Sequence, residues 1–247
     1  MIVLMSPARN SADVPNPPLS PTPILFPDKV LQIVEAVRAY SPYQLETLLD
    51  VNAERAFDLY DAYRAYNLAA PGSPALLSYY GAAYRNMRPG TFGEEDLLFA
   101  QEHLRILSAL YGLLRPLDGI QPHRLGLYEP IPEVGGDLYT FWGDWVSRAV
   151  RESGSPILNL ASGAYMKLVR PYLKSDDACV TCRFLVRRPD GRAKATVATV
   201  RAARGLMVRY IILNRIIRPD DLVDFDMDGY RFAPYDSDDR TRVFIKE

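Results

Sequence analysis

Cysteine and histidine are both scarce, with two of each in 247 residues. Cys179 and Cys182 are too few for the disulfide framework of a small secreted domain, and a chain this long can bury a core without one. They have the two-residue spacing of zinc ligands. The motif occurs once, however, and in an expected strand, where positions three apart face opposite sides. His103 and His123 lack the spacing of a ligand pair, and His103 reads as a hydrogen-bonded structural residue ahead of a general base. Neither a metal nor a cofactor is expected. No apolar run approaches the ~18 residues that cross a bilayer, so no membrane partner is expected. Glycine-rich phosphate loops and Gly-x-Ser-x-Gly elbows are missing. Strong charge of one sign is missing too: 29 basic against 30 acidic residues give −1, which argues against a uniformly basic nucleic-acid binder.

What is present is ordinary for a globular protein, 48% hydrophobic and 24% charged residues, which excludes disorder, collagen-like repeats and a coiled-coil rod. Length allows one large domain or two small packed ones. The expected organisation is a mixed α/β (α+β) single domain over residues 1–247, with a helical excursion at 28–67. Met1 to Met5 is a short apolar run closed by Ser6-Pro7 and reads as a strand rather than a signal peptide, making the cytoplasm the expected location. Seven prolines between Pro7 and Pro27 forbid regular structure and predict an extended segment over the folded body. Asp28 is expected to cap a helix carrying Val30, Ile33, Val34 and Val37. Ser41-Pro42-Tyr43-Gln44 has the cap, proline and glutamine of a second helix start. That helix carries Leu45, Leu48 and Leu49, breaks near Asp50-Val51-Asn52, and is followed by another to about Asn67. Two short helices and a tight turn resemble a helix-hairpin-helix, which sets backbone amides against DNA phosphates. Its charge opposes that use. Glu46, Asp50, Glu54, Asp58 and Asp61 outnumber Arg55 and Arg64, so structural packing is preferred there.

Thr91-Phe92-Gly93-Glu94 reads as a capping box opening a helix over residues 91–114. On such a helix Arg105, Ser108, Gly112 and Arg115 share one stripe beside the apolar face. The stripe suits a closely approaching anion; alternatively, both arginines pair with acids such as Asp118 or Asp144 and brace the fold. The run from Ile157 through Asn159 to Ser162 reads as a strand whose serine caps a helix over 163–169, with Lys167 one turn on and backbone amides open to a phosphate or carboxylate. The first strand ends likewise in Ser6 with Arg9 nearby, and the two strand ends are expected to converge on one cleft. A hairpin is expected over 178–200, turning at Pro189-Asp190-Gly191, with Arg187, Arg188, Arg192 and Lys194 at its tip. A helix over 203–217 follows, with Arg204 and Arg215 on the face of Val208 and Ile211. Residues 183–218 hold ten Lys or Arg and one Asp, whereas residues 220–247 hold nine acids and four bases. Near-neutrality is therefore a cancellation, and the acidic tail is expected to lie across the basic surface.

Several runs, in order and at matching spacing over nearly the whole chain, resemble the peroxide stress protein YaaA family. They are Ser6-Pro7-Ala8, the stretch from Phe99 to Arg105, the stretch from Leu107 to Asp118 with its Leu-Tyr-Gly-Leu-Leu-Arg-Pro-Leu-Asp, the stretch from Asp137 to Asp144, Asn159-Leu160-Ala161-Ser162, and Ala203-Arg204-Gly205-Leu206-Met207. The resemblance implies a cytoplasmic bacterial protein linked to protection from hydrogen peroxide and to limiting free iron. It also implies an unusual mixed α/β fold, a helix-hairpin-helix and double-stranded DNA binding, without a settled enzymatic activity. The chain departs from the family pattern at Arg9, where lysine is usual, at Ala82 and at Ala164, where acids are usual, and at Ala202, where lysine is usual. Tyr-Arg-Leu-Glu is replaced by His123-Arg124-Leu125-Gly126.

Two expectations stand side by side. In one, Arg187, Arg188, Arg192, Lys194, Arg201 and Arg209 cover duplex phosphates without reading sequence, in a protein of the oxidative stress response. In the other, an enzyme, of a biosynthetic pathway for example, holds a small anionic metabolite such as a nucleotide or carboxylate. There Arg9, Arg105, Arg115, Arg124 and Arg204 would clamp it, Ser6, Ser108, Asn159 and Ser162 orient it, and Lys167 or Asp118 move protons.

Overall fold

The computed structural model describes residues 1–247. The first apolar run is a strand, β1 (Ile2–Met5), with all four side chains buried. The other strands of its sheet are β2 (Leu104–Ser108), β3 (Gly112–Leu114), β4 (Ile157–Asn159), β5 (Cys179–Arg187), β6 (Ala193–Lys194), β7 (Tyr230–Phe232) and β8 (Thr241–Lys246). They lie in the order β7-β8-β5-β4-β1-β2-β3, with β6 hydrogen-bonded to β5. From β8 to β2 all neighbours are parallel; β3, β6 and β7 add antiparallel pairs. Leu4 stands in register with Arg105 on one side and with Asn159 on the other, and Asn159 with Thr181.

Besides a single turn at Ala75–Ser78, the helices are α1 (Pro27–Arg38), α2 (Pro42–Leu49), α3 (Ala53–Ala65), α4 (Ala82–Met87), α5 (Glu94–His103), α6 (Leu138–Trp142), α7 (Trp145–Ser153), α8 (Gly163–Met166) and α9 (Val197–Leu213). The Ser41 start forms as read. The Ser41 N–H donates to Gln44 Oε1 at 2.8 Å, and the Gln44 N–H is returned to Ser41 Oγ. Asp50 takes a left-handed turn at φ 48°, and Asn52 Oδ1 caps α3 by accepting from the Arg55 N–H at 2.9 Å. Asp28 does not cap α1. Pro27 already occupies the first helical position, so the cap residue is Phe26, without a side-chain bond.

The largest correction concerns residues 91–114. Only 94–103 are helical; β2 and β3 follow, and the chain from Leu104 to Leu114 is buried throughout. A helix there would turn one face outward. An interior strand needs no polar face, and a continuous apolar run fits one equally well. Gly112, at φ +69°, packs against the Trp142 ring where a Cβ would collide. The C-terminal helix also shifts, to 197–213, because Thr196 caps it by accepting from the Thr199 N–H.

The proline-rich segment runs extended across the body. Asn10 and Ser11 pair with Tyr80 and Tyr79, the Val14 N–H donates to Ser73 Oγ, and Thr22 exchanges backbone bonds with Leu117 and Gly119. The acidic tail does more than lie on a surface, since β8 is a full strand parallel to β5 and Glu247 pairs with Arg187 at 2.8 Å. α9 approaches α4 so closely that a Cβ on Gly205 would overlap the Ala83 carbonyl. A core of 58 buried residues joins sheet and helices. No helix is long and apolar enough to cross a membrane.

Candidate functional site

The sheet changes direction between β1 and β4. The chain leaves β1 towards β2 on one side and leaves β4 towards β5 on the other, so the carboxyl ends of these neighbours border a crevice where open α/β sheets place ligands. Ser6 follows β1 and Ser162 follows β4. The Ser162 N–H donates to Ser6 Oγ at 2.9 Å, and the two hydroxyl oxygens are 3.3 Å apart. Ser162 Oγ also accepts from the Tyr165 N–H, capping α8. That helix is a single turn, not the longer helix expected to Val169, so it offers only its first amides and little dipole. Asn159 is spent on the strand exit, its Oδ1 accepting from the Ala161 N–H and its Nδ2 donating to Thr181 Oγ1. The Tyr84 hydroxyl donates to the Ser6 carbonyl at 3.2 Å.

Two arginines of the surrounding segments, Arg9 and Arg124, form no ion pair. Arg9 is exposed and has neither a hydrogen-bond nor an ion-pair partner. Arg124 is half-buried and gives one Nη2 bond to the Asp50 carbonyl at 3.2 Å, with no carboxylate in contact. Burial lowers the Arg124 guanidinium from its ordinary value, and the Arg9 charge beside it lowers it further. Arg9 also neighbours Tyr165, whose phenol is pushed up by burial and by Glu129 while Arg9 opposes the shift. Glu129 is half-buried, and its carboxylate fills the space that a Cβ on Gly126 would take. Lys167, exposed at the rim, donates from Nζ to the Tyr128 hydroxyl at 3.0 Å. The hydroxyl of Tyr139 and the ammonium of Lys167 hold the Tyr128 phenol below its ordinary value. Tyr139 itself donates to the Ala164 carbonyl at 3.1 Å, tying this rim to α8.

Behind the crevice lies a wall of buried phenols. Tyr79 and Tyr84 pack at a ring separation of 5.5 Å, and Tyr79 reaches His123 Nε2 at 3.4 Å. His123 Nδ1 faces the Gln121 carbonyl at 2.8 Å, which assigns its proton to Nδ1 and leaves Nε2 to accept from Tyr79. Ser108 belongs to this wall. It is fully buried, and its Oγ accepts from the Tyr111 N–H at 3.1 Å.

The expected arginine clamp does not assemble as one group, because the helix that would have aligned Arg105 and Arg115 is a strand pair. Arg105 turns to the α7 side, donating to Ser153 Oγ, the Gln101 carbonyl and the Leu104 carbonyl, where it closes the end of α5. Arg115 pairs with Asp118 at 2.9 Å. Asp118 is fully buried and also accepts from Thr22 Oγ1 and the Arg115 N–H, so it fastens the proline-rich segment, and none of its hydrogen bonds involves Ser6 or Ser162. Arg204 comes from α9 to the β5 strand beside Cys182, with its Nε buried and unpartnered. Of the basic residues, Arg188, Arg192, Lys194 and Arg201 are exposed, and Arg187 is paired with Glu247. Arg209 is anchored to the Met87 carbonyl and Thr91 Oγ1. Both thiols are pushed up by burial, that of Cys182 to about 12, so neither is set as a reactive thiolate.

Sequence reasoning missed Tyr84, Tyr128, Glu129 and Tyr165. Tyr165 stands one turn from Ser162, but no spacing ties Arg9 to Glu129, 120 residues away.

A family model described as "Peroxide stress protein YaaA" matches residues 1–236. Among curated proteins, a UPF0246 protein of Ralstonia pickettii is 39% identical over 262 residues, covering 100% of this chain and 99% of that protein. A UPF0246 protein of Ralstonia nicotianae is 40% identical with the same coverage. One from Saccharophagus degradans is 34% identical over 257 residues, covering all of both chains.

Proposed function

This chain belongs to the peroxide stress protein YaaA family, and from that premise we propose that it serves the cytoplasmic response to peroxide by binding a small phosphate- or carboxylate-bearing ligand in the crevice between β1 and β4. One observation carries the reading: Ser6 and Ser162 meet at the carboxyl ends of β1 and β4, with Arg9 three residues on from Ser6 and exposed without a carboxylate partner. A guanidinium without a carboxylate partner is free to take an anion through charge-assisted bonds. The Ser6 and Ser162 hydroxyls orient such a ligand rather than attack it, since the nearest partner of each is the other and no basic side chain touches them. The buried thiols argue against a cysteine-based peroxidase.

Inorganic phosphate, compared with chloride at equal ionic strength, is expected to raise the thermal midpoint by binding the native state alone. Arg9→Met, which removes no internal bond, is expected to weaken phosphate binding about tenfold, and Ser162→Ala to weaken it as well. A midpoint indifferent to phosphate, or an unchanged affinity in Arg9→Met, refutes the reading.

A second reading, duplex binding at the β5–β6 hairpin, is favoured by the exposure of Arg188, Arg192 and Lys194 without acidic partners. The α2–α3 pair is a poor candidate, with five carboxylates against two arginines and its turn carbonyl at Asp50 taken by Arg124. Each phosphate contact adds about 0.9 to the slope of log affinity against log salt. Arg188→Glu/Arg192→Glu is therefore expected to reduce that slope by about two. A slope that does not move, or no binding at low salt, removes this reading.

A further inference from the structure

We propose a second ligand site, separate from the crevice, in which Arg105 and Arg115 receive the carboxylate of a small monocarboxylic acid with a short apolar body. The site is an open cleft of about 720 Å³ between α5, the end of α7 and the β2–β3 pair, with Leu98, Phe99, Glu102, Arg105, Arg115 and Ser153 in its wall. None of Ser6, Ser162 and Arg9 borders it. The strand pair that dissolves the expected stripe still makes neighbours of its two arginines. Ile106 stands opposite Leu114, and one more step of the same antiparallel register sets Arg115 opposite Arg105. Like charges so placed repel.

Arg105 is only 8% exposed, and no carboxylate bonds to it. Its Nε and Nη1 donate to Ser153 Oγ and to the Gln101 and Leu104 carbonyls, acceptors without a full charge. Its Nη2 has no acceptor and opens to the cleft. Burial lowers this guanidinium from its ordinary value and Arg115 lowers it further, while Asp118 works the other way. Buried charges are normally paired. The other charges nearby are already answered. Asp118 is spent on Arg115, whose Nη1 is left without an acceptor. The Glu102 side chain is 80% exposed at the rim, 3.8 Å from His103 Nε2, where water solvates it. Arg215, over the Phe99 ring, pairs with Asp96. One buried positive charge thus calls for one negative charge, and a carboxylate brings two oxygens for the two free amino groups. A phosphate monoester carries about −1.5 to −2 at neutral pH, and the excess meets Glu102. Half-exposed Leu98 and the Phe99 ring supply apolar wall for the rest of the acid.

The test is titration calorimetry on the full chain with hexanoate, acetate and hexyl phosphate. The wild type is expected to bind hexanoate about tenfold more tightly than acetate, and more tightly than hexyl phosphate. Leu98→Glu offers the arginines a carboxylate of the chain itself from a half-exposed helical position, and is expected to cut hexanoate affinity about tenfold. Arg105→Gln is expected to do the same; if it does not fold, Leu98→Glu decides alone. Glu102→Gln is expected to raise the affinity for hexyl phosphate more than that for hexanoate. Arg9→Met and Ser162→Ala, which alter the crevice, are expected to leave hexanoate binding unchanged. No hexanoate binding by the wild type, or binding that survives Leu98→Glu, overturns this site and leaves the crevice reading standing. Hexanoate lost in Arg9→Met and kept in Leu98→Glu moves the acid to the crevice and overturns it as well. Acetate bound as tightly as hexanoate overturns the apolar wall, and a preference for hexyl phosphate overturns the choice of a single negative charge.

Discussion

Asp118→Ala is expected to lower unfolding free energy by about 3–5 kcal/mol, the usual cost of breaking a buried ion pair by removing one partner. The carboxylate has no exposed surface. Three donors converge on it, Thr22 Oγ1 at 2.7 Å, the Arg115 N–H at 2.8 Å and Arg115 Nε at 3.0 Å, and Arg115 Nη2 lies in ion-pair contact at 2.9 Å. The Arg115 guanidinium also donates to the Pro23 carbonyl. One acid therefore clasps the proline-rich segment to the exit of β3, and its loss strands a threonine hydroxyl, a backbone amide and a guanidinium together. Burial pushes the Asp118 carboxyl up despite these donors, which shows how dry the site is. Asp118→Asn is expected to cost less, because one oxygen still accepts while the new amide opposes Arg115. A fall in the urea midpoint with an unchanged slope is the reading that checks this. Phosphate affinity, measured where the variant is folded, is expected to stay at the wild-type value. A stable Asp118→Ala that no longer binds phosphate would return Asp118 to the functional site as a proton-transfer group.

The same residues mark where sequence reading succeeds and where it stops. β1 and the Ser41–Gln44 start are decided by side chains within a few residues of one another, and they form as the chain reads. The convergence of Ser6 on Ser162 is also legible, since a strand ending in serine can only present it at the sheet's carboxyl edge. Residues 104–114 are not legible in this way. Burial on every side erases the periodicity that separates strand from helix, and the capping signal upstream extends the wrong element. A helix over 91–114 sets Arg105 and Arg115 on a shared stripe with Ser108, and the strand pair takes that stripe apart. Glu129 and Tyr165 were hidden for another reason. The fold alone brings the Tyr165 phenol within the influence of Arg9 and Glu129 and seats the Glu129 carboxylate over Gly126, and no local periodicity signals either placement.

Acid is expected to destabilise this protein through His123, by roughly 3 kcal/mol as pH falls from 6.5 towards 4. Burial lowers the imidazole from its ordinary 6.5 to about 4 in the folded chain, while the bond to the Gln121 carbonyl works weakly the other way. Between those values the unfolded chain binds a proton that the folded chain refuses. Stability therefore rises with pH through this window, is complete above 6.5, and is progressively lost on acidification. The structural reason is local. Protonated Nε2 would become a donor pointed at the Tyr79 hydroxyl, which must then turn its own proton away within the wall of phenols behind Ser6. His123→Gln keeps polar groups at the position and removes the titration. Its unfolding free energy, followed by urea melts across the window, is expected to show a slope against pH shallower than wild type by up to one proton. Carboxylates shared by both proteins cancel from that difference. Equal slopes would mean that His123 admits a proton in the folded state, and with it either water or a rearranged Tyr79.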